Sequence, residues 1–358
     1  GFDEYDISDE DLIPRQDVVI TMTKLGYIKR MTTDTFKSQN RGGKGIKGMQ
    51  TIEEDYVEEL FMTSSHDYIM LFSNLGRMYR IKAYEIPEGS RTSKGMNLIN
   101  ILPLLPDEKI TVILPASELD EDNYIAMVTK KGIIKRTKVS EFRNTRKSGI
   151  IAINIDDDDE LGFVRMTNGK QNIFIATRDG LAIQFKEEGV RAMGRNARGV
   201  KAINMREGDR VIDMAIVDED SRILTVTETG YGRISSIADY RIQSRGGKGL
   251  TNYRTDKYGK VAATIPVTEN DDIIMIASNG IVIRIFAGDI SQFNRPAKGV
   301  RVMRVAEGEK ILSVALTEHN EEEVTEKPEE ADADAGDSEE TAEEIALSNE
   351  APLEDNEE

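Results

Sequence analysis

The stretch Ile273-Ile274-Met275-Ile276-Ala277-Ser278-Asn279-Gly280-Ile281-Val282-Ile283-Arg284-Ile285-Phe286 decides the fold. Two β-branched runs flank an Asn-Gly pair, a pair that suits a two-residue turn with positive φ, so the stretch reads as a β-hairpin. The same arrangement recurs upstream, with the turn glycine at Gly26, Gly76, Gly132, Gly180 and Gly230 and successive intervals of 50, 56, 48, 50 and 50 residues up to Gly280. About nineteen residues after each comes a second glycine, at Gly45, Gly95, Gly149, Gly199, Gly249 and Gly299. A short apolar segment such as Val200-Lys201-Ala202-Ile203 follows, then an acidic turn such as Glu207-Gly208-Asp209, then a further strand such as that from Val211 to Val217.

Each unit thus supplies about four strands and no convincing helix. Fifty residues per unit suit a radial blade array, in which each sheet buries its faces against its neighbours, and six units predict an all-β, six-bladed propeller-like disc. A β-solenoid or two β-sandwiches are the alternatives, and the period is too long for one solenoid coil.

Composition closes several function classes. Cysteine is absent from the 358 residues, and the only two histidines, His66 and His319, cannot build a zinc centre between them. No apolar run approaches the ~18 residues of a spanning helix, and the acidic start Gly1-Phe2-Asp3-Glu4 does not resemble a signal peptide, so a cytoplasmic protein without a membrane contact is expected. There is no phosphate-binding G-x-x-x-x-G-K-[ST] loop, cysteine nucleophile or Gly-x-Ser-x-Gly turn, so no catalytic residue, metal ligand or cofactor site is expected in this chain. The run Asp156-Asp157-Asp158-Asp159-Glu160 lacks the spaced ligands and glycine of a calcium loop and reads as a solvated turn.

The net charge of −18 is unevenly distributed. Residues 321–358 carry −17 and residues 1–16 carry −5, which leaves 17–320 at +4. We therefore expect an acidic linker over 1–16, a folded domain over 17–317, and a disordered acidic tail over 318–358.

The basic residues of the middle part keep a register that composition does not require. Arginine precedes the second glycine by four residues and lysine or arginine immediately precedes it: Arg41 with Lys44, Arg91 with Lys94, Arg195 with Arg198, Arg245 with Lys248, and Arg295 with Lys298. The third unit departs from this and offers Arg143, Arg146 and Lys147. A further cationic position lies four residues beyond the turn glycine, at Arg30, Arg80, Arg136 and Arg284, and Gln184 and Ile234 break that series. Equivalent positions around a radial array would form one interrupted basic track for a bent polyanion, and the adjoining glycines would let backbone approach phosphates.

The loop Gln39-Asn40-Arg41-Gly42-Gly43-Lys44-Gly45, with Lys47 beyond it, resembles the signature heptapeptide of the gyrase A family, usually written Q-R-R-G-G-R/K-G, in the first unit where that family has it. Asn40 stands in place of the usual arginine. A second such loop, Gln243-Ser244-Arg245-Gly246-Gly247-Lys248-Gly249, lies in the fifth unit. Asp11-Leu12-Ile13-Pro14 and Val128-Thr129-Lys130-Lys131-Gly132-Ile133-Ile134-Lys135-Arg136-Thr137 are also typical of the family, and the likeness covers residues 12 to 317. The resemblance implies a six-bladed β-pinwheel of four-stranded blades with strands exchanged between blades, whose outer surface wraps double-stranded DNA so that the enzyme introduces negative supercoils. It implies as partners the rest of a dimeric gyrase A chain together with gyrase B in an A2B2 enzyme, with ATP and magnesium needed elsewhere in that assembly. The C-terminal domain of topoisomerase IV is the nearest alternative, and a protein-binding propeller scaffold is the alternative of a different class. Scarce aromatics, at 6% with no tryptophan, argue against the scaffold.

Overall fold

The computed structural model describes residues 9–35, 55–295 and 297–330. The chain divides into two compact units, one of Gly1–Ser73, Met78–Asp120 and Thr145–Ile150, the other of Asn74–Arg77, Glu121–Asn144 and Ile151–Glu358.

The fourth repeat shows how a blade is built. Its hairpin joins Asn172–Thr177 to Leu181–Lys186 with Ile175 opposite Ile183, and Val211–Val217 pairs on the other side with Phe174 opposite Ala215. The hairpin strands are buried over nearly their whole length because both faces are covered, which is why Ile173 to Ala176 and Leu181 to Ile183 read as continuous apolar runs instead of an alternation. The last strand of the sheet, Leu250–Thr251, comes from the fifth repeat and pairs with Leu181–Lys186. Four other sheets are completed in the same way by a two-residue strand that follows the second glycine of the next repeat: Met96–Asn97, Ile150–Ile151, Val200–Lys201 and Val300–Arg301. This is the strand exchange that the family resemblance implied and the periodicity alone did not reveal. Among the described residues, the sheet of the sixth hairpin, Asp271–Ala277 with Val282–Phe286, has three strands.

Two glycines are required by this exchange where the fourth and fifth repeats meet. Gly180 has φ +92°, and a β-carbon there would collide with the Tyr253 carbonyl oxygen of the following repeat. Gly249 has φ +77°, and a β-carbon would lie 2.5 Å from the carbonyl oxygen of Ala182 in the preceding repeat. The glycines therefore mark where one blade's chain passes over its neighbour. The acidic turns also have a structural task. Asp209 Oδ1 accepts the N–H of Asp179, the residue before the turn glycine, and Asp55 and Asp159 do the same for Leu25 and Lys131.

Apolar side chains form shared cores between consecutive repeats. Val18, Ile20 and Ile28 pack with Ile69, Leu71 and Leu98 in the first unit; in the second, Ala126, Val128 and Ile134 pack with Ile173, Ile175 and Ile183. A third core joins Leu224, Val226 and Ile234 to Ile273, Met275 and Ile285.

The described edges of both terminal segments are held against the blades. The end of the expected linker is docked: His66 Nε2 donates to the Ile13 carbonyl at 2.8 Å, Ser65 Oγ donates to the Pro14 carbonyl at 2.7 Å, and Lys82 lies 3.3 Å from Glu10. The described start of the expected tail is also held. His319 stacks on Phe286 with ring centres 3.9 Å apart, and Glu329–Glu330 pairs with Val300–Arg301 as the fifth strand of its sheet. The remainder of the tail lies outside the described residues.

Candidate nucleic-acid interface

The loop before each second glycine is a tight turn in the even repeats. The N–H of the residue two before that glycine donates to the carbonyl of the residue five before it, as in Ser93 to Ser90 at 3.2 Å, Ala197 to Gly194 at 3.2 Å and Ala297 to Asn294 at 2.9 Å. The two cations of the register have different surroundings.

The recurring arginine is half-buried and latches consecutive repeats together. Its Nη1 donates to the second residue of the preceding short strand: Arg195 to the Ile151 carbonyl at 3.4 Å, Arg245 to that of Lys201 at 3.1 Å, and Arg295 to that of Thr251. Arg245 Nε also reaches the Gly189 carbonyl at 2.9 Å, and Arg295 Nε that of Asp239 at 3.1 Å. Contacts between repeats thus account for the arginine register at Arg195, Arg245 and Arg295.

The cation next to the glycine is more exposed. Lys94 is exposed, with Nζ 3.9 Å from the centre of the Tyr27 ring, and it holds that phenol below its ordinary pKa. Lys298 Nζ lies 5.4 Å from the Tyr258 ring and 5.8 Å from the Tyr231 ring. Lys248 is half-buried, and Arg91 likewise. Arg198 is exposed but forked onto Asp156 at 3.0 and 2.7 Å, which holds that carboxyl below its ordinary pKa. The acidic run is accordingly an ion-paired turn instead of a purely solvated one, with Lys131 on Asp158 at 2.5 Å and Lys130 on Glu160 at 2.7 Å. In the third loop Arg146 and Lys147 are exposed, whereas Arg143 forks onto Glu121 at 2.8 and 2.6 Å.

The first signature loop, Gln39, Arg41, Gly42, Gly43, Lys44 and Gly45 with Lys47, lies outside the described residues. Its counterpart in the fifth repeat is described, and its glycine pair is buried. Gly246 N–H donates to the Ala202 carbonyl at 2.7 Å, and the Gly247 carbonyl accepts from Asn204 N–H at 2.9 Å. These glycines approach the preceding repeat, which corrects the expectation that they expose backbone for phosphates.

The strand cations four residues beyond the turn are corrected more completely. Arg136 is buried, with Nη1 2.9 Å from Glu187 and Nε 2.9 Å from the Val190 carbonyl; Arg284 is buried with Nε 2.6 Å from Asp272. Arg30 Nε donates to the Ile86 carbonyl at 3.0 Å, and Gln184 Nε2 to the equivalent Tyr240 carbonyl at 2.6 Å. Arg30, Arg136 and Gln184 thus each supply a side-chain N–H donor to the next repeat, a task that glutamine shares with arginine, whereas buried Ile234 supplies none.

One set escaped the sequence reading. Lys29, Lys135 and Arg233, three residues beyond the turn glycine in the odd repeats, reach beneath the loops of the even repeats. The available signal was a cation on a strand face that is Tyr79, Ile183 or Ile283 in the even repeats.

Among the described residues no group of three or more acidic, histidine or cysteine side chains is placed to hold a metal ion, and no helix is long and apolar enough to cross a membrane.

Comparison with known proteins agrees with this architecture. The family described as "DNA gyrase C-terminal domain, beta-propeller" matches six consecutive segments, residues 17–64, 67–117, 123–168, 171–218, 221–268 and 271–318. The DNA gyrase A protein of Clostridium acetobutylicum is 48% identical over 342 residues, covering 94% of this chain and 41% of its own length. That of Staphylococcus epidermidis is 43% identical over 314 residues, covering 87% and 35%. The chain thus spans about two fifths of the length of these relatives or less. Among solved structures, a DNA gyrase A C-terminal domain matches with a TM-score of 0.67 at 28% identity, over 84% of this chain and 99% of its own. A DNA topoisomerase IV C-terminal domain matches with a TM-score of 0.73 at 25% identity, over 86% and 94%. With six matched repeats, six blades linked by exchanged strands, and gyrase A relatives at up to 48% identity among those compared, this chain belongs to the DNA gyrase C-terminal domain family of β-propellers.

Proposed function

We propose that this chain is the DNA-wrapping domain of a gyrase A protein, binding duplex DNA without sequence preference and bending it over its basic loops. The observation that carries the reading is the recurrence of cations on the loops before the second glycines, with Lys94, Arg146 and Lys147 exposed and Lys248 and Lys298 half-buried. Such loops offer charge and N–H donors to phosphates and no element shaped to read base edges, so preference would arise from DNA flexibility. Bending costs on the order of 1 to 6 kcal/mol per 20 to 30 base pairs, which many weak phosphate contacts together offset. In this reading the DNA leaves the cleavage gate of a gyrase A dimer, is wrapped, and crosses back with fixed handedness. Strand passage, driven by ATP on the gyrase B partner, then introduces negative supercoils in the cytoplasm. Catalytic groups, ATP and magnesium belong to other parts of that assembly.

The topoisomerase IV reading is supported by the likeness to that enzyme's C-terminal domain. The signature loop at Gln39 to Gly45 and the sixth repeat favour gyrase. Binding to duplex DNA across a salt series tests the class: with about eight phosphates neutralised, log K falls against log salt with a slope of about −7. A slope near zero would favour the protein-scaffold reading.

A further inference from the structure

Lys135 is fully buried, and its Nζ donates to the Gly194 carbonyl at 2.8 Å and the Arg195 carbonyl at 2.6 Å. Lys29 Nζ donates to the equivalent carbonyls of the second repeat, Ser90 and Arg91 at 3.1 Å, and to Ser93 at 2.8 Å. Arg233, also fully buried, reaches the Ala297 carbonyl of the sixth repeat at 3.2 Å, with Asn252 Oδ1 at 2.7 Å and the Tyr253 ring 4.9 Å away. In each case the bonded partners are neutral oxygens. A buried cation without a bonded anion costs several kcal/mol, and the even repeats avoid that cost with Tyr79, Ile183 and Ile283. The three cations also fall within the repeat pairs that share a core, first with second, third with fourth, fifth with sixth.

We propose that Lys29, Lys135 and Arg233 are the inner layer of three polyanion-binding loops: each pins the loop's carbonyls inward and places a positive charge beneath a bound phosphate, which supplies the anion that none of its bonded partners in the fold provides. The proposal rests on the DNA-binding reading and deepens it by naming positioning residues behind the loops. It also explains the loops that lack such a cation. The fifth, preceded by Ile183, is seated by its buried glycine pair through Gly246 N–H to Ala202. The third, preceded by Tyr79, whose hydroxyl donates to Glu108 at 2.5 Å, departs from the cation register.

Lys135 offers a readout that a structural role alone does not move. Burial lowers its pKa from 10.5 to about 8; the charged groups facing it are Glu141, from the short helical turn Val139–Phe142 that follows its own strand and favouring the charged form, and Arg195, from the loop it holds and opposing it. The amine therefore loses its charge as pH rises through about 8, while arginine at this position stays charged.

The test uses the full chain, a linear duplex, and the variants Lys135→Arg and Lys135→Met. For Lys135→Met near pH 7 and at low salt, we expect about five-fold weaker binding and a salt slope shallower by about one. Wild-type binding weakens by a similar factor between about pH 7 and pH 9, and Lys135→Arg removes most of that decline; burial lowers the Lys29 pKa too, so part of the decline persists in both proteins. Should Lys135→Met fail to fold, the pH profile of Lys135→Arg decides. Wild-type affinity and slope in a folded Lys135→Met, or an undiminished alkaline decline in Lys135→Arg, would overturn the proposal while leaving the DNA reading intact. Wild-type protein that ignores duplex DNA at low salt would overturn both.

Discussion

Replacing Arg136 by methionine separates the contact with a polyanion that the sequence pattern suggested from the contact with the next blade that the structure shows. Its guanidinium is buried 2.9 Å from Glu187, a carboxylate that is itself fully buried and also accepts from Thr167 Oγ1 at 2.7 Å and from Gln171 N–H at 2.8 Å. Methionine fills a similar volume but leaves that carboxylate without its cation and the Val190 carbonyl without its donor. Breaking a buried pair from one side costs about 3 to 5 kcal/mol, because the remaining charge stays desolvated. Adding Glu187→Gln removes the charge, keeps an acceptor for the Gln171 N–H and turns an amide donor toward the Thr167 hydroxyl oxygen, so the double variant recovers at least half of the loss. Urea unfolding measures this through the midpoint, and a salt series on duplex DNA runs beside it. The expected outcome is a large drop in midpoint with an unchanged salt slope. A single variant that loses less than about 1 kcal/mol, or one that keeps its stability while losing DNA affinity, would refute the assignment of Arg136 to the blade contact.

Gly249→Ala forces a side chain into φ +77° and to 2.5 Å from the Ala182 carbonyl, so the urea midpoint falls by the equivalent of more than about 1 kcal/mol. Burial raises the Asp213 pKa from 3.8 to about 7, opposed by the Thr264 N–H and by Arg165. A pKa raised by folding means stability present in acid and lost as pH rises toward about 7, so Asp213→Asn melts higher than wild type near pH 8 and equally near pH 4, as thermal denaturation across pH shows. Truncation after Glu318 removes Glu329, which lies 2.7 Å from Arg304, and the strand on Val300–Arg301; duplex binding then tightens, most at low salt, in the same titrations.

The fold was largely legible because its signals are local. Asn279-Gly280 and Asp179-Gly180 need only neighbouring residues to specify a turn, and the β-branched runs around them specify strands. The exchange of Leu250–Thr251 into the preceding sheet was not legible from periodicity, since a two-residue strand carries almost no pattern of its own. The site was half legible. Charge register identified the loops, but a guanidinium reads the same in sequence whether it faces solvent, as Arg146 does, or a neighbouring carbonyl, as Arg245 does. Buried Lys135 was missed because a lysine beside Arg136 reads as surface charge until the next repeat is packed over it. The glycine pair of the fifth loop misled for the same reason: glycine marks close approach without naming what approaches.

The central claim, that repeated basic loops bend duplex DNA with one handedness, is tested most directly by sealing nicked circular DNA with ligase in the presence of this chain and resolving the linking number of the products after its removal. Wrapping predicts that the topoisomer distribution shifts in one direction and further with each added equivalent of protein, until the circle is saturated. A distribution centred where it lies without protein, at concentrations where the circle is demonstrably bound, would mean that the loops bind DNA without wrapping it.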